Sequence, residues 1–319
     1  MLQKLSHLSL LSHLSLLSYL SLKKKLFPIL YSLNKNLMFY LILVTILWAF
    51  SFSLIGEYLL FLDKYFLVFI RVFLSFLLFL PFMQFWGISL IFRVQLMFIG
   101  SVQIGVMYLF LYHSYNFLTV PEILLFTIFT PFYVTLIYDI LSCRFHFLYL
   151  VGVGLAILGA FIMRYGNIGG EFWAGFWLVQ MANLCFALGQ SVYKFVLKCN
   201  KDVVQWRVFG YFHLGALIIV APAFWLLGDF EKIYPSLFQC VILAWLGLVA
   251  SGIGYFLWNK GATTVDAGTL GIMNNALIPA GLIVNILIWN RVENYLTFTI
   301  GTTIILCSLI VHAKLAGKE

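Results

Sequence analysis

The chain has 319 residues, of which 63% are hydrophobic and only 9% charged, against about 25% charged residues in soluble proteins. Eleven acidic and 19 basic side chains are too few to clothe a surface of this size in water, so lipid must cover most of it. A soluble enzyme and a disordered chain are thereby excluded, and the net charge of +8 bears on membrane topology, not on nucleic acid. The five cysteines stand singly in or beside apolar runs, with no CxxC spacing, and read as packing residues.

From the N-terminus, Leu5 to Leu22 is one hexapeptide written three times (LSHLSL, LSHLSL, LSYLSL), followed by Lys23, Lys24 and Lys25. A secretory signal has its basic residues first and a small-residue cleavage site last, the reverse of this order. Residues 1–37 are read as a low-complexity extension without assigned function, with translation starting at Met1 or Met38.

A bilayer core takes about 20 apolar residues per helix. Such runs fall near 38–60, 64–85, 94–117, 120–141, 145–163, 172–196, 204–227, 237–259, 266–289 and 295–313. The predicted fold is therefore an all-α integral membrane protein of ten transmembrane helices. Lys and Arg accumulate on the cytoplasmic side of a membrane. With the N-terminus inside, fourteen of them lie on that side and four on the other, with Arg71 inside the second span. Both termini are expected in the cytoplasm.

The two halves of the chain echo one another. Gly105 to Leu111 in the third span matches Gly252 to Trp258 in the eighth, Phe129-Thr130-Pro131 matches Leu277-Ile278-Pro279, and Gly154 matches Gly301, each at an offset of 147 or 148. Five helices per half turn the second copy upside down, which predicts a 5+5 inverted-topology repeat, 38–164 followed by 171–314. The Trp48-Ala49-Phe50-Ser51 start, Arg71, Pro131 and Pro279, and the glycines Gly152, Gly154 and Gly159 resemble the drug/metabolite transporter superfamily in its EamA-type branch. The tract from Trp258-Asn259-Lys260-Gly261-Ala262 through Asn274-Asn275-Ala276-Leu277-Ile278-Pro279 is similar to the bacterial carboxylate/amino acid/amine transporter group. That resemblance implies secondary transport across a bacterial inner membrane and supports amino acids as solutes.

Polar side chains inside spans usually face a cavity or another helix. At 100° per residue, Gln180, Asn183, Gln190 and Lys194 share a stripe on the sixth span. Tyr108, Tyr112 and Tyr115 share a sector on the third, Tyr255 and Asn259 a face of the eighth, and Trp48 a face of the first with Thr45 and Phe52. Asn274 and Asn275 precede Pro279 in the ninth span, and proline there frees a carbonyl. The expected substrate-binding set is thus Trp48, Tyr108, Tyr112, Gln180, Asn183, Gln190, Tyr255, Asn259, Asn274 and Asn275, with Pro131 and Pro279 as hinges. Arg71, about a third of the way into the second span, could snorkel to the outer surface or pair with Glu57, and that structural pair is favoured over a role in binding a substrate carboxylate; Glu122, after Pro121, fits the first turn of the fourth helix.

No carboxylate lies at the centre of an expected span, and no metal-ligand cluster, paired-Asp loop or Walker motif is present. No cofactor or metal is expected, and no catalytic residue. The function read from these features is alternating-access transport of a small amino acid, carboxylate or amine, as an exporter or exchanger, by a protein whose surroundings are the lipid bilayer and which a homodimer would also suit. An integral membrane enzyme, or a carrier of lipids or nucleotide sugars, is the alternative; phosphorylated substrates would favour more cationic side chains in the cavity.

Overall fold

A computed structural model of the chain describes residues 39–142, 170–200, 202–265 and 267–289, with a few isolated positions between 296 and 307. The leader 1–37, the expected fifth span with Gly152, Gly154 and Gly159, and most of the expected tenth span lie outside the described residues, as do the side chains of Asp139 and Gly268. The described residues form helices and no strand. In chain order these are α1 (Phe39–Tyr58), α2 (Lys64–Phe79, closed by the 3-10 turn Leu80–Phe82), α3 (Leu90–Ser114), α4 (Val120–Phe126 and Thr130–Ser142 across the 3-10 turn Thr127–Phe129), α5 (Gly170–Cys199), α6 (Gln205–Leu227), α7 (Leu237–Ala262) and α8 (Ala267–Trp289). α1 to α7 are long and apolar enough to cross a bilayer, and α8 holds a shorter apolar stretch, Met273–Trp289. Among the described residues the count is therefore seven full spans and not ten.

Helix starts are set by side chains that take up amide groups left without an intrahelical partner. Asp63 Oδ1 accepts from Phe66 N at 2.8 Å to begin α2, and Ser89 Oγ accepts from Phe92 N at 3.2 Å to begin α3. At α4, Thr119 N and Thr119 Oγ1 both donate to Glu122 Oε2, at 2.8 and 2.9 Å, which puts Glu122 in the first helical turn as expected. Ser236 and Gln239 bond each other's backbone reciprocally at the start of α7, at 2.9 and 3.3 Å.

Two helices change pitch in mid-course: Ser101–Val106 in α3 and Trp245–Ile253 in α7 are π-helical. The wider turn of a π segment loosens the regular ladder and is common beside functional sites. Here its carbonyls serve neighbouring helices. Gly247 O accepts from Ser75 Oγ of α2 at 2.8 Å, and Ala250 O from Trp48 Nε1 of α1 at 2.9 Å. Pro131, just after the 3-10 turn of α4, supplies no N–H to the ladder, which accounts for the break there.

α3 and α6 pack closely. A Cβ on Gly100 would lie 1.8 Å from Phe212 O, and one on Gly215 1.8 Å from Met97 O. Each glycine thus admits the other helix's backbone, as small residues do in membrane bundles. Leu41, Leu59, Leu67, Val68 and Leu96 are fully buried between helices, while Phe61, Trp86, Trp225 and Tyr234 stand exposed near helix ends, where aromatic rings suit the membrane interface.

Candidate functional site

The seventh residue after Lys64 on α2 is Arg71, and its side chain is buried. Nη1 donates to Tyr112 Oη at 2.6 Å, Nη2 to Tyr108 Oη at 2.9 Å and to Ser251 Oγ at 2.7 Å, and Nε to Ser251 Oγ at 3.0 Å. Tyr108 Oη and Ser251 Oγ also bond each other at 2.7 Å. The guanidinium carbon sits 4.5 Å from the centre of the Tyr108 ring, a cation–π distance. Tyr108 and Tyr112 stand one turn apart on α3 just past its π segment, and Ser251 is inside the π segment of α7. Those local geometries bring three hydroxyls from two helices to one cation.

This group borders a cavity of about 80 Å³ where α1, α2, α3, α4, α5, α7 and α8 meet, room for several water molecules. Aromatic rings form much of its wall. Trp48 lies 5.0 Å from both Tyr255 and Trp258 and 5.7 Å from Phe186, centre to centre. Polar groups on the wall include Arg71, Thr130, Asn183 and Asn274. Asn183 Nδ2 donates to Phe126 O at 2.8 Å, and Asn274 Nδ2 to Leu270 O at 2.9 Å. Neither Oδ1 accepts a hydrogen bond from another of the described residues.

Of the residues expected from sequence, Trp48, Tyr108, Asn183, Tyr255 and Asn274 line the cavity, and the others do not. Tyr112 stands behind the wall as a partner of Arg71. Gln180 Oε1 accepts from Tyr133 Oη at 3.3 Å. Gln190 Oε1 accepts from Trp258 Nε1 at 2.9 Å, holding one of the wall rings. Asn259 Nδ2 donates back to Tyr255 O at 3.0 Å, and Asn275 Oδ1 is buried without a partner among the described residues. Pro131 is buried beside Gly271 of α8, and Pro279 lies within α8.

Two features differ from expectation. Arg71 does not pair with Glu57: its partners among the described residues are the three hydroxyls, because its side chain turns inward and not along the helix toward the surface. Ser251 was missed altogether. Its only sequence signal is a hydroxyl in the middle of an apolar span, Ala250-Ser251-Gly252, whose facing depends on the π turn.

No protein-family model matches the chain. It is 49% identical over 276 residues to the biotin transporter of Salmonella typhimurium, covering 86% of this chain and 92% of that protein. The biotin transporter of Escherichia coli K12 matches to the same extent. The probable biotin transporter of Pseudomonas aeruginosa is 48% identical over 284 residues, 88% of this chain and 99% of that one. The chain belongs to their family. It is accordingly a membrane transporter and not an enzyme, a multi-pass protein of a bacterial inner membrane.

These relatives overturn two expectations. The resemblance to the EamA-type drug/metabolite transporters and their carboxylate/amino acid/amine group gives way to relatives named for biotin over most of the chain. The expected amino acid, carboxylate or amine solute falls with it. It rested on neutral amides and aromatic rings, which suit many solutes with a flat apolar part. A crystal structure matched with a TM-score of 0.64 at 14% identity, covering 89% of this chain and 99% of that one, shows a shared fold alone.

Proposed function

We propose that this chain carries biotin across the inner membrane, binding it in the cavity between α1, α2, α3, α4, α5, α7 and α8. The observation that carries the reading is a pair of amides, on Asn183 and Asn274, lining an aromatic-walled cavity, each with an N–H already engaged by a backbone carbonyl. Biotin's fused ring presents two ureido N–H donors on a flat, largely apolar frame. Amide acceptors suit the donors, and Trp48, Phe186 and Tyr255 suit the frame.

The architecture proposed for this task is ten spans in two inverted halves, both termini cytoplasmic, with alternating access between them. Three observations support it. Eight helices fall at the expected spans with the expected order. The π segments of α3 and α7 occupy corresponding places in the two halves. Both halves contribute to the cavity wall, Trp48, Arg71 and Tyr108 from one and Asn183, Tyr255 and Asn274 from the other. Rocking one half on the other would open the wall to each side in turn, with Pro131 and Pro279 as the places where α4 and α8 bend. The remaining expected residues, Tyr112, Gln180, Gln190, Asn259 and Asn275, then hold the wall in shape.

The test is uptake of tritiated biotin by liposomes containing the purified protein. Saturable uptake, suppressed by unlabelled biotin and cut at least about tenfold by the double substitution Asn183→Leu and Asn274→Leu, is the expected result; losing a pair of hydrogen bonds from a buried polar ligand accounts for that factor. Uptake no faster than in protein-free liposomes would refute the reading. Preloading with unlabelled biotin separates exchange from one-way movement.

A further inference from the structure

Among the described residues, the hydrogen-bonding of Arg71 leaves its positive charge uncompensated. Arginine stays protonated in proteins, and burial in a membrane bundle makes an unpaired charge costly. Lying seven residues after Lys64, Arg71 is about 10 Å along α2 from its start, too deep for an ordinary anchor at the surface. Yet the partners found for it among the described residues are hydroxyls and aromatic faces, with no carboxylate.

The hydroxyls have a second use. Tyr112 Oη accepts from Nη1, so its own O–H proton is free to be donated elsewhere; of Tyr108 and Ser251, which share one hydrogen bond, one O–H is likewise left over. Four hydrogen bonds occupy four of the five guanidinium N–H groups, leaving one on Nη1. The cation and the Tyr108 hydroxyl thus stand together at the edge of the cavity, with Tyr112 and Ser251 behind them. That set matches an anionic oxygen acid: charge-assisted bonds to guanidinium and hydroxyl are short and strong, more so in a buried setting than in water. A structural arginine would be expected to hold a protein carboxylate; this one holds groups that can both accept from it and donate to a guest.

We infer that Arg71 is the anchor for the carboxylate of the transported biotin, and that it sets selectivity for the acid over uncharged derivatives. Tyr108 completes the anion cradle, and Tyr112 and Ser251 orient the guanidinium from behind. The inference rests on the biotin reading and assigns the opposite end of the molecule from the ureido group. Its cost in an empty carrier is also its use: the charge favours occupancy by an anion and penalises a neutral look-alike, whose amide nitrogen would place N–H groups against the guanidinium.

The test compares tritiated biotin with biotin primary amide, equal in shape and lacking the charge, in liposomes containing the wild-type protein, Arg71→Gln or Arg71→Lys. The wild type is expected to favour the acid in kcat/KM by at least about tenfold. Arg71→Gln should bring the ratio near one by slowing the acid while sparing the amide, and Arg71→Lys should keep a reduced preference, since the charge survives but the planar fork does not. A wild-type ratio near one overturns the inference while leaving biotin transport standing. So does an Arg71→Gln protein that slows both substrates equally and keeps the ratio. A wild type that moves neither substrate overturns the biotin reading itself. If Arg71→Gln fails to insert, Tyr108→Phe, which removes the hydroxyl at the cavity wall and keeps the ring, decides: a fall in the acid-to-amide ratio supports the cradle, and an unchanged ratio overturns it.

Discussion

Arg71 and His213 are both buried deep in the bundle, 2% and 0% exposed, yet their surroundings are opposite. Arg71 meets three hydroxyls supplied by α3 and α7. His213 sits among the rings of Phe79, Phe209 and Phe212, at 5.5, 5.2 and 5.6 Å, and neither ring nitrogen has a partner among the described residues. The first environment is assembled for a polar group. The second accepts a flat ring, stacked on Phe79 at 22°, and leaves its nitrogens unserved. Burial of a titratable side chain is therefore no mark of function by itself; what separates the two is whether neighbouring helices supply complementary groups.

The largest effect should come from breaking the packing that encloses His213. Gly100→Ala forces a methyl against Phe212 O, backbone that cannot swing aside, and should cost about 3 kcal/mol of stability, seen as a large fall in the midpoint of thermal unfolding in detergent. A midpoint within a degree of wild type would mean that α3 and α6 separate easily. On the Arg71 side, Ser251→Ala removes the acceptor of Nε and one acceptor of Nη2. About 2 kcal/mol should be lost, with transport impaired as well; retention of both would show that the hydroxyl is dispensable. The smallest change has the opposite sign. His213→Phe removes two unpartnered nitrogens from an aromatic surrounding and should stabilise the protein by about 1 kcal/mol, with transport unchanged. A drop in stability would reveal that His213 has a partner and would close the gap between the two regions.

Much of the bundle was legible before any coordinates. The apolar run at 204–227 became Gln205–Leu227, and that at 64–85 became Lys64–Phe82, because a bilayer imposes both length and composition on whatever crosses it. The sixth-span stripe was legible too: Gln180, Asn183 and Gln190 all turn inward. Only Asn183 reaches the cavity wall. Helical phase says which way a residue faces, while the depth and neighbours of the hollow depend on where other helices cross. Arg71 shows the same limit. Glu57, at the end of the preceding helix, is the partner expected from the sequence, but the side chain answers to Tyr108, 37 residues away, and Ser251, 180 residues away.

From sequence alone came the membrane, the helix positions, Glu122 in a first helical turn, and the polar residues that turn inward, all of which depend on composition or on contacts within a turn or two. The three-dimensional arrangement decided which of those residues share a cavity, that Arg71 is held by hydroxyls, and that α3 and α7 pass into π geometry near the site. The reason is that these outcomes arise from helix crossings between distant segments, where a backbone contact that leaves no room for a Cβ at Gly100 or a single widened turn sets what meets what. No local pattern encodes such a meeting.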